Sequence, residues 1–359
     1  MKTVNRFRRC APHAITAAVA LTLAACGGDK DNPVQTPPPA TPLAQQAACT
    51  SYVPASIGGP MPEGDTVVIR WMGTSNFEIA YHGKVILMDT YYNRPARTRS
   101  IGFTADQVTK ADVILIGHAH SDHISDLAQV ASQTGAPIYG SAITATEAAK
   151  LGVPAAQFTT VKGDNTEKFT VGDISIQPTH IIHSSIEDGL TTQLSALYLS
   201  DGLGPLSADD AAQAASVKAK GSSDPNLVTL GTTGFTLTLA SGFKIVWFDS
   251  VGPVSPEETA LAAQLGTGID VGIFPWAPHP IAETALSYTW QHVAMFKPKL
   301  YLPTHHDSIW GSWLDSGIEP LFQKIRDEQP ETGYLSPLYR SPVCINTSGA
   351  DRGVNAIKY

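Results

Sequence analysis

The sequence has no apolar run of eighteen or more residues after residue 30, and only four of its 359 residues are cysteine. The first absence excludes an internal membrane-spanning helix. The second, at this chain length, excludes a small scaffold held together by disulfides. Gly-x-Ser-x-Gly and Gly-x-x-x-x-Gly-Lys are also missing, so serine-nucleophile and P-loop chemistry lack their usual motifs. Because 43% of the residues are hydrophobic, we expect a folded chain rather than a disordered one.

The first 26 residues are typical of an export signal. An apolar run from Ala14 to Ala25 follows a basic start and is too short to span a bilayer. It ends in Leu-Ala-Ala-Cys-Gly, which resembles the bacterial lipobox and implies that Cys26 carries lipid as the first residue of the mature chain. An ordinary secretory signal with an incidental Cys26 is the alternative. The basic residues are Lys2, Arg6, Arg8 and Arg9.

Three segments are expected along the chain. Residues 1–25 form the signal peptide, residues 26–48 form a proline-rich tether, and residues 49–359 form one folded domain. The stretch near 200–227 is rich in Ala, Ser and Gly and lies between expected strands, so we interpret it as an insertion over one rim. A lipid on Cys26 would hold the protein in the bacterial cell envelope, and we expect the outer membrane with the domain facing the periplasm.

Cleavage of the signal changes the charge and the cysteine content. The mature chain keeps 20 basic and 32 acidic residues, a net charge of −12. We expect no nucleic-acid partner, because an acidic chain lacks the positive charge that neutralises phosphates.

Cys49 and Cys344 remain near the two ends of the domain, and an oxidising compartment would allow them to form a disulfide. Two unrelated thiols are the alternative.

Hydrophobic patterning predicts an α/β fold. Early segments are joined by glycine turns, as in antiparallel hairpins, and continuous apolar runs such as 85–88 and 111–117 indicate strands buried on both faces. Later strands alternate with helical segments, and the pattern occurs in two successive halves. We therefore expect two mixed sheets packed together with helices outside, a four-layer αββα sandwich.

Four side chains that can bind metal fall within six residues, directly after one of these strands. His118 and His120 share one face of an extended chain, so both can reach one cation. The chain then enters a helix, which can direct Asp122 and His123 toward a second cation. Imidazole and carboxylate ligands suit zinc, with iron or manganese as alternatives.

This H-x-H-x-D-H pattern resembles the signature of the metallo-β-lactamase fold superfamily, and the resemblance extends over about residues 65 to 310. It implies a later His, a bridging Asp and a final His, and the sequence supplies His183, Asp249 and His305 at the ends of expected strands. The resemblance implies two Zn²⁺ ions. Their ligands would be His118, His120 and His183 for one ion, and Asp122, His123 and His305 for the other, with Asp249 between them.

Two of these ligand positions have an alternative. His180 competes with His183, and His306 competes with His305. The contexts His-Ser-Ser and Pro-Thr-His-x-Asp resemble one branch of the superfamily and favour His183 and His305.

Two further carboxylates have supporting roles to test. Asp89 ends a strand and matches the first motif of the superfamily, which implies a hydrogen bond to a ligand. Asp126 lies three residues after His123. It can either orient a ligand imidazole or lie on the helix surface.

The resemblance implies a hydrolase. Two zinc ions about 3.5–4 Å apart can share a hydroxide that attacks carbon or phosphorus, and Asp122 can manage the proton. His120 stands where oxygen-reducing diiron members carry Glu, and Asp249 argues against a true β-lactamase. The motifs resemble those of L-ascorbate-6-phosphate lactonase-like and N-acylphosphatidylethanolamine phospholipase D-like proteins. Candidate substrates are therefore small-molecule or lipid-like lactones, esters and phosphodiesters.

Three other functions remain open. The main alternative is a non-catalytic envelope lipoprotein that uses the same fold to bind a ligand or partner, against which the complete ligand set argues. A metal-dependent nuclease is disfavoured by the net charge of −12. A redox iron site is the third.

Overall fold

The computed structural model describes residues 41–184, 206–266, 268–276, 282–309 and 318–349, and only the backbone of 282–285. The predicted signal peptide, the predicted lipidation site Cys26 and most of the predicted tether lie outside these residues. Among the described helices, none has both the length and the apolar character needed to cross a membrane.

Two mixed sheets form the centre of the domain. Their strands, in chain order, are β1 (Thr66–Trp71), β2 (Phe77–Tyr81), β3 (Lys84–Met88), β4 (Val113–Leu115), β5 (Ile138–Gly140), β6 (Phe158–Thr160), β7 (Phe169–Val171), β8 (Ile174–Ile181), β9 (Thr232–Thr238), β10 (Lys244–Trp247), β11 (Ile269–Pro275), β12 (Pro298–Thr304), β13 (Gly333–Tyr334) and β14 (Pro342–Asn346). Within the described residues, the first sheet has the order β14-β1-β2-β3-β4-β5-β6, and the second has the order β13-β12-β11-β10-β9-β8-β7.

Helices cover the outer faces of the sheets. In chain order they are α1 (Ala47–Thr50), α2 (Ser121–Ile124), α3 (Leu127–Thr134), α4 (Ala142–Lys150), α5 (Ala208–Lys218), α6 (Leu227–Leu230), α7 (Pro256–Leu265), α8 (Ala282–Phe296) and α9 (Glu319–Glu328). Capping residues mark the N-terminal ends of several of these helices. At α7, for example, Ser255 and Glu258 form a reciprocal capping box, and Pro256 occupies a position where its missing N–H costs nothing.

Alternation along the central strands explains the layers. In β3, Ile86 and Met88 pack in the core between the two sheets. Val85 and Leu87 pack in a second core between the sheet and its helices. Strand β10 alternates in the same way in the other sheet. Because both faces of each sheet are covered, the predicted αββα sandwich of the metallo-β-lactamase type is confirmed.

The folded unit includes residues that the sequence pattern assigned to the tether. Gln46 is buried, and its Nε2 donates to Thr66 Oγ1 at 2.9 Å, while its Oε1 accepts the Glu63 N–H at 3.0 Å. Ala48 is buried in the core under the first sheet. Residues 46–48 of the predicted 26–48 tether therefore pack on the domain.

Cys49 and Cys344 form a disulfide in the structure, with Cα atoms 5.7 Å apart. Cys344 lies in β14, directly opposite Val68 of β1 in an antiparallel pair. The bond thus joins the segment that enters the domain to the strand that completes its first sheet.

Candidate metal centre

Five chain segments bring polar side chains to one edge of the sandwich. The H-x-H-x-D-H segment follows β4, and its last residues form α2. Asp89 follows β3, His183 follows β8, Asp249 follows β10 and His305 follows β12. Strands β3 and β4 are parallel neighbours, as are β11 and β12, so the chain repeatedly delivers a loop to the same edge.

The seven predicted ligands gather there in three overlapping groups, and within each group the ligand atoms lie within 4.8 Å of one another. The groups are His118 with His120 and His183, His118 with His123 and Asp249, and Asp122 with His123 and His305. The first and third groups correspond to the two cation sites expected from the sequence. The second group contains one imidazole from each site and the expected bridging carboxylate.

Ring nitrogens point toward each other across these groups. His118 Nε2 lies 2.9 Å from His120 Nδ1, and His305 Nε2 lies 3.2 Å from His123 Nε2. Asp122 Oδ2 lies 3.4 Å from His123 Nε2. Nitrogen and carboxylate atoms that converge in this way, with His305 added from a separate loop, are typical of cation ligands.

Asp249 reaches the centre because residue 117 is glycine. A Cβ at Gly117 would lie 1.9 Å from Asp249 Cγ. The Asp249 Oδ2 lies 2.5 Å from His118 Nδ1 and 3.3 Å from His123 Nδ1. Its Oδ1 is buried and has no hydrogen-bond partner in the described structure.

This unsatisfied oxygen tests whether a cation fits the site. A buried carboxylate oxygen without a partner is costly, and a bound cation would satisfy it. The surrounding donors are imidazole nitrogens and carboxylate oxygens, which are zinc ligands and also suit iron or manganese. The residues present therefore fit a divalent metal.

Burial and local charge set the protonation of the ligands. Burial, followed by the neighbouring histidines, lowers the pKa of His118 well below its ordinary value. Burial and His120 lower the pKa of His183 to about 3. Burial would raise the pKa of Asp122, but His123 and His305 hold it below its usual range. Neutral imidazole and ionised carboxylate are the forms that bind metal.

Two ligands shift in the opposite direction. Burial would lower the pKa of His123, but Asp122 and Asp89 hold it well above its ordinary value. Burial and Asp89 raise the pKa of Asp249 well above its ordinary value. A cation that binds these two groups would therefore displace protons.

Asp89 supports a ligand, as the sequence implied. Its Oδ2 lies 2.6 Å from His123 Nδ1, and its Oδ1 accepts the Gly117 N–H at 2.9 Å. Sequence reasoning missed Ser75, whose hydroxyl donates to Asp89 and lies 2.7 Å from the same imidazole nitrogen. Because Asp89 and Ser75 hold Nδ1 of His123, its Nε2 faces the centre.

The alternative histidines lie elsewhere. His180 Nε2 lies 2.9 Å from the Thr229 carbonyl oxygen, and His180 belongs to none of the three ligand groups among the described residues. His306 stacks on Trp71, with ring centroids 3.7 Å apart. The structure thus brings the favoured member of each pair to the centre.

Asp126 requires a correction. It is buried, so it does not lie on a helix surface. Its Oδ2 accepts the N–H groups of Tyr92 and Asn93 at 2.7 and 2.8 Å, and its Oδ1 accepts the Asn93 side-chain amide. Its carboxylate therefore holds the loop that follows Asp89, rather than a ligand imidazole.

A cavity of about 420 Å³ opens beside the centre. Residues 120–122 form one wall, and Lys218, Gly221, Ser222 and Ser223 from the predicted insertion form the other. The Ser222 N–H donates to the Ala119 carbonyl oxygen at 2.7 Å, which fixes the insertion beside the ligands. The described part of the insertion is thus a wall of the site.

Comparisons with known proteins relate part of the chain to a known superfamily. Residues 84–202 match the family model described as a beta-lactamase superfamily domain. A UPF0173 metal-dependent hydrolase from Cupriavidus necator is 35% identical over 125 residues, which are 33% of this chain and 43% of that protein. The chain therefore aligns with less than half the length of that relative.

Solved structures show the same fold at low identity. Igni18, a metallo hydrolase from Ignicoccus hospitalis, is 16% identical with a TM-score of 0.51, over 78% of this chain and 98% of that one. An isothiocyanate hydrolase from Delia radicum gut bacteria is 13% identical with a TM-score of 0.50, over 77% and 98%. The two sheets have the metallo-β-lactamase arrangement, residues 84–202 match a beta-lactamase superfamily domain, and the similar proteins from Cupriavidus necator and Ignicoccus hospitalis are described as metal-dependent or metallo hydrolases.

Proposed function

We propose that the protein is an exported hydrolase that uses two zinc ions to cleave a lactone, an ester or a phosphodiester. The observation that carries this proposal is the overlap of the three ligand groups. His118 and His123 each belong to two of them, and Asp249 shares a group with both. A single cation would not need two triads joined by a carboxylate.

The chain's own residues have separable tasks in such a reaction. Two cations held there would lower the pKa of water and polarise a carbonyl or phosphoryl oxygen. Asp89 and Ser75 keep His123 in one orientation. Asp122 lines the cavity as an anion, so its carboxylate can hold a cation and accept a hydrogen bond from a water molecule that enters.

Cavity size and motif support a small substrate or the head of a larger one. The volume of about 420 Å³ is within the range of small-molecule sites. The His-Ser-Ser and Pro-Thr-His-x-Asp contexts resemble the lactonase-like and phospholipase D-like branch, which favours lactones and phosphodiesters. The superfamily holds many activities, so substrate screening must include all three bond types.

Metal content and hydrolysis test the proposal together. We would compare the full-length protein with Asp249→Ala, and use the exposed Asp209→Ala as a control that loses the same charge. The wild type and the control should bind two equivalents of zinc. Asp249→Ala should bind at most one, and its hydrolysis of p-nitrophenyl esters, lactones or bis(p-nitrophenyl) phosphate should fall at least about tenfold.

The other outcomes separate the alternatives. No stoichiometric metal after zinc is resupplied would reject a metal-dependent reaction. Two irons would favour redox chemistry. Stoichiometric zinc and tight ligand binding without turnover would favour a non-catalytic binding lipoprotein of the same fold.

We propose further that the protein is a lipoprotein of the bacterial cell envelope, anchored through Cys26. The Cys49–Cys344 disulfide supports an oxidising compartment. Membrane fractionation of cells that express the wild type and Cys26→Ala tests this. The wild type should sediment with outer membranes, and the variant should be released. Recovery of both in the cytoplasm would reject the proposal.

A further inference from the structure

His305 lies in a backbone conformation that other residues must maintain. Its φ is 55°, in the left-handed region that L-residues with side chains avoid, and Thr74 has a φ of 45°. The two residues are joined directly, because the His305 N–H donates to the Thr74 carbonyl oxygen at 2.9 Å. The Thr304 hydroxyl donates to the same oxygen.

Asp307 completes this connection from the other side. Its Oδ1 accepts the Thr74 N–H at 2.9 Å. Its Oδ2 accepts Arg94 Nη1 at 2.8 Å and the Tyr339 hydroxyl at 2.6 Å. The Asp307 side chain is fully buried and that of Arg94 is 3% exposed. The carboxylate therefore bonds only to protein groups among the described contacts.

The positively charged group of this network, the Arg94 guanidinium, is enclosed by its neighbours. The Arg94 guanidinium lies over Gly73, where a Cβ would be 2.7 Å from Nη2. It also lies near the rings of Tyr91 and Tyr339, at 5.1 and 5.6 Å from their centroids. Gly73 has a φ of 91°, so the turn that carries Thr74 depends on glycine for both its backbone and its space.

Three parts of the chain meet in this network. Arg94 follows β3, Tyr339 precedes β14, and both of those strands belong to the first sheet. Asp307 follows β12 of the second sheet. The contacts thus connect the two sheets at the edge where His305 faces His123.

We propose that Asp307, Arg94 and Tyr339 form a clamp that positions His305 for the second cation. The clamp consists of positioning residues and does not touch the substrate. This inference rests on the proposed pair of cations. Loss of the clamp should selectively weaken the site of Asp122, His123 and His305. His305 belongs to that site and lies on the loop after β12, whereas His118, His120 and His183 lie on the loops after β4 and β8.

Zinc binding by the full-length protein tests the clamp without measuring turnover. Equilibrium dialysis against chelator-buffered zinc gives the affinity of each equivalent. Asp307→Asn keeps the shape of the side chain but places an amide against donors. It should weaken the second equivalent about 10–100-fold and leave the first unchanged. Tyr339→Phe removes one donor and should give a smaller loss of the second equivalent.

Tyr301→Phe is the matched control. It also removes a buried hydroxyl, which bonds to the Phe274 carbonyl oxygen at 3.2 Å in the helix-facing core of the second sheet. Both zinc affinities should stay at the wild-type value. The cobalt(II) absorption spectrum of Tyr339→Phe should change in the band of the second ion, whereas that of Tyr301→Phe should match the wild type.

Two results would overturn the clamp. One is a second equivalent bound by Asp307→Asn as tightly as by the wild type. The other is an equal loss of both equivalents, which would indicate general destabilisation. If Asp307→Asn loses only the second zinc while the wild type, with both zinc ions bound, hydrolyses none of the screened substrates, the clamp is upheld and the proposed hydrolase is rejected.

Discussion

At residue 117, the lack of a side chain decides where the Asp249 carboxylate lies. Gly117 precedes His118, and the Asp249 carboxyl occupies the space that a Cβ would need. Any larger residue must move Asp249 away from His118 and His123, or move the strand end that carries the histidines. The glycine therefore serves the metal centre rather than a turn.

Gly117→Ala tests this directly. Because the new Cβ would lie 1.9 Å from Asp249 Cγ, the variant should lose about one equivalent of zinc, and hydrolysis should fall at least about tenfold. Metal analysis and circular dichroism of the purified protein measure both the loss and the fold. Gly333→Ala is the control, since its Cβ meets nothing closer than 3.3 Å. Two tightly bound zinc ions in Gly117→Ala would contradict the argument.

Sequence reasoning found the residues of the centre that carry a local pattern. His118 to His123 are contiguous, and their spacing has a physical meaning in extended and helical backbone. Ser75 and Arg94 were missed because no local sequence pattern indicates which distant group a buried serine or arginine will contact. Both act on loops that come together only in the folded protein.

At the scale of single elements, helix α5 and the residues after it form one wall of the cavity beside the site. Lys218 is the only lysine or arginine among the described residues that line the cavity, opposite His120 and Asp122. In a chain with a net charge of −8, a cation at this place would favour a substrate with an anionic group.

Lys218→Gln should therefore discriminate between two matched esters. We expect KM for mono-4-nitrophenyl glutarate, which carries a carboxylate, to rise about 3–10-fold, because an exposed charge-assisted contact contributes about 1 kcal/mol. KM for neutral 4-nitrophenyl butyrate should not change. Lys220→Gln, outside the cavity lining, is the control. An equal change for both esters would show that Lys218 shapes the wall without selecting charge.

Some elements were predictable and others were not. The buried strands β3 and β4 followed from continuous apolar runs in the sequence. Strand β14 was missed because Pro342 and Cys344 interrupt its pattern and its partner β1 lies at the other end of the chain. The helix expected after the H-x-H-x-D-H motif is two helices, α2 and α3, because Asp126 between them binds the loop after β3.

At the scale of the whole molecule, the first residues of the domain are held by more than the disulfide. Arg70 Nη2 donates to the Ala48 carbonyl oxygen at 2.6 Å. Glu78 accepts the N–H groups of Ala55 and Ser56, both at 2.8 Å. The two side chains form a buried pair. Segment 46–56 therefore belongs to the domain. The domain begins before residue 49, where the composition of the sequence had placed its start.

Removing the disulfide should destabilise the fold without emptying the metal centre. Cys49→Ser with Cys344→Ser should lower the free energy of unfolding by about 2–5 kcal/mol, because the bond restricts the unfolded chain. Denaturant unfolding measures the loss, and zinc content should remain at the wild-type value. The same variant should not respond to reductant. A loss of zinc in the folded variant would contradict the separation of the two features.

The disulfide closes a ring of covalent bonds around almost the entire domain, since its cysteines are 295 residues apart. A protease that cuts once in the exposed stretch near Ala208–Lys218 would open the backbone but release no fragment. Both pieces would stay bound to each other, and the pairing of β1 with β14 would stay covalently secured. Such a nicked molecule would migrate as one species on a non-reducing gel and as two on a reducing gel. Damage at the wall of the site would thus leave the domain attached to whatever holds its N-terminus.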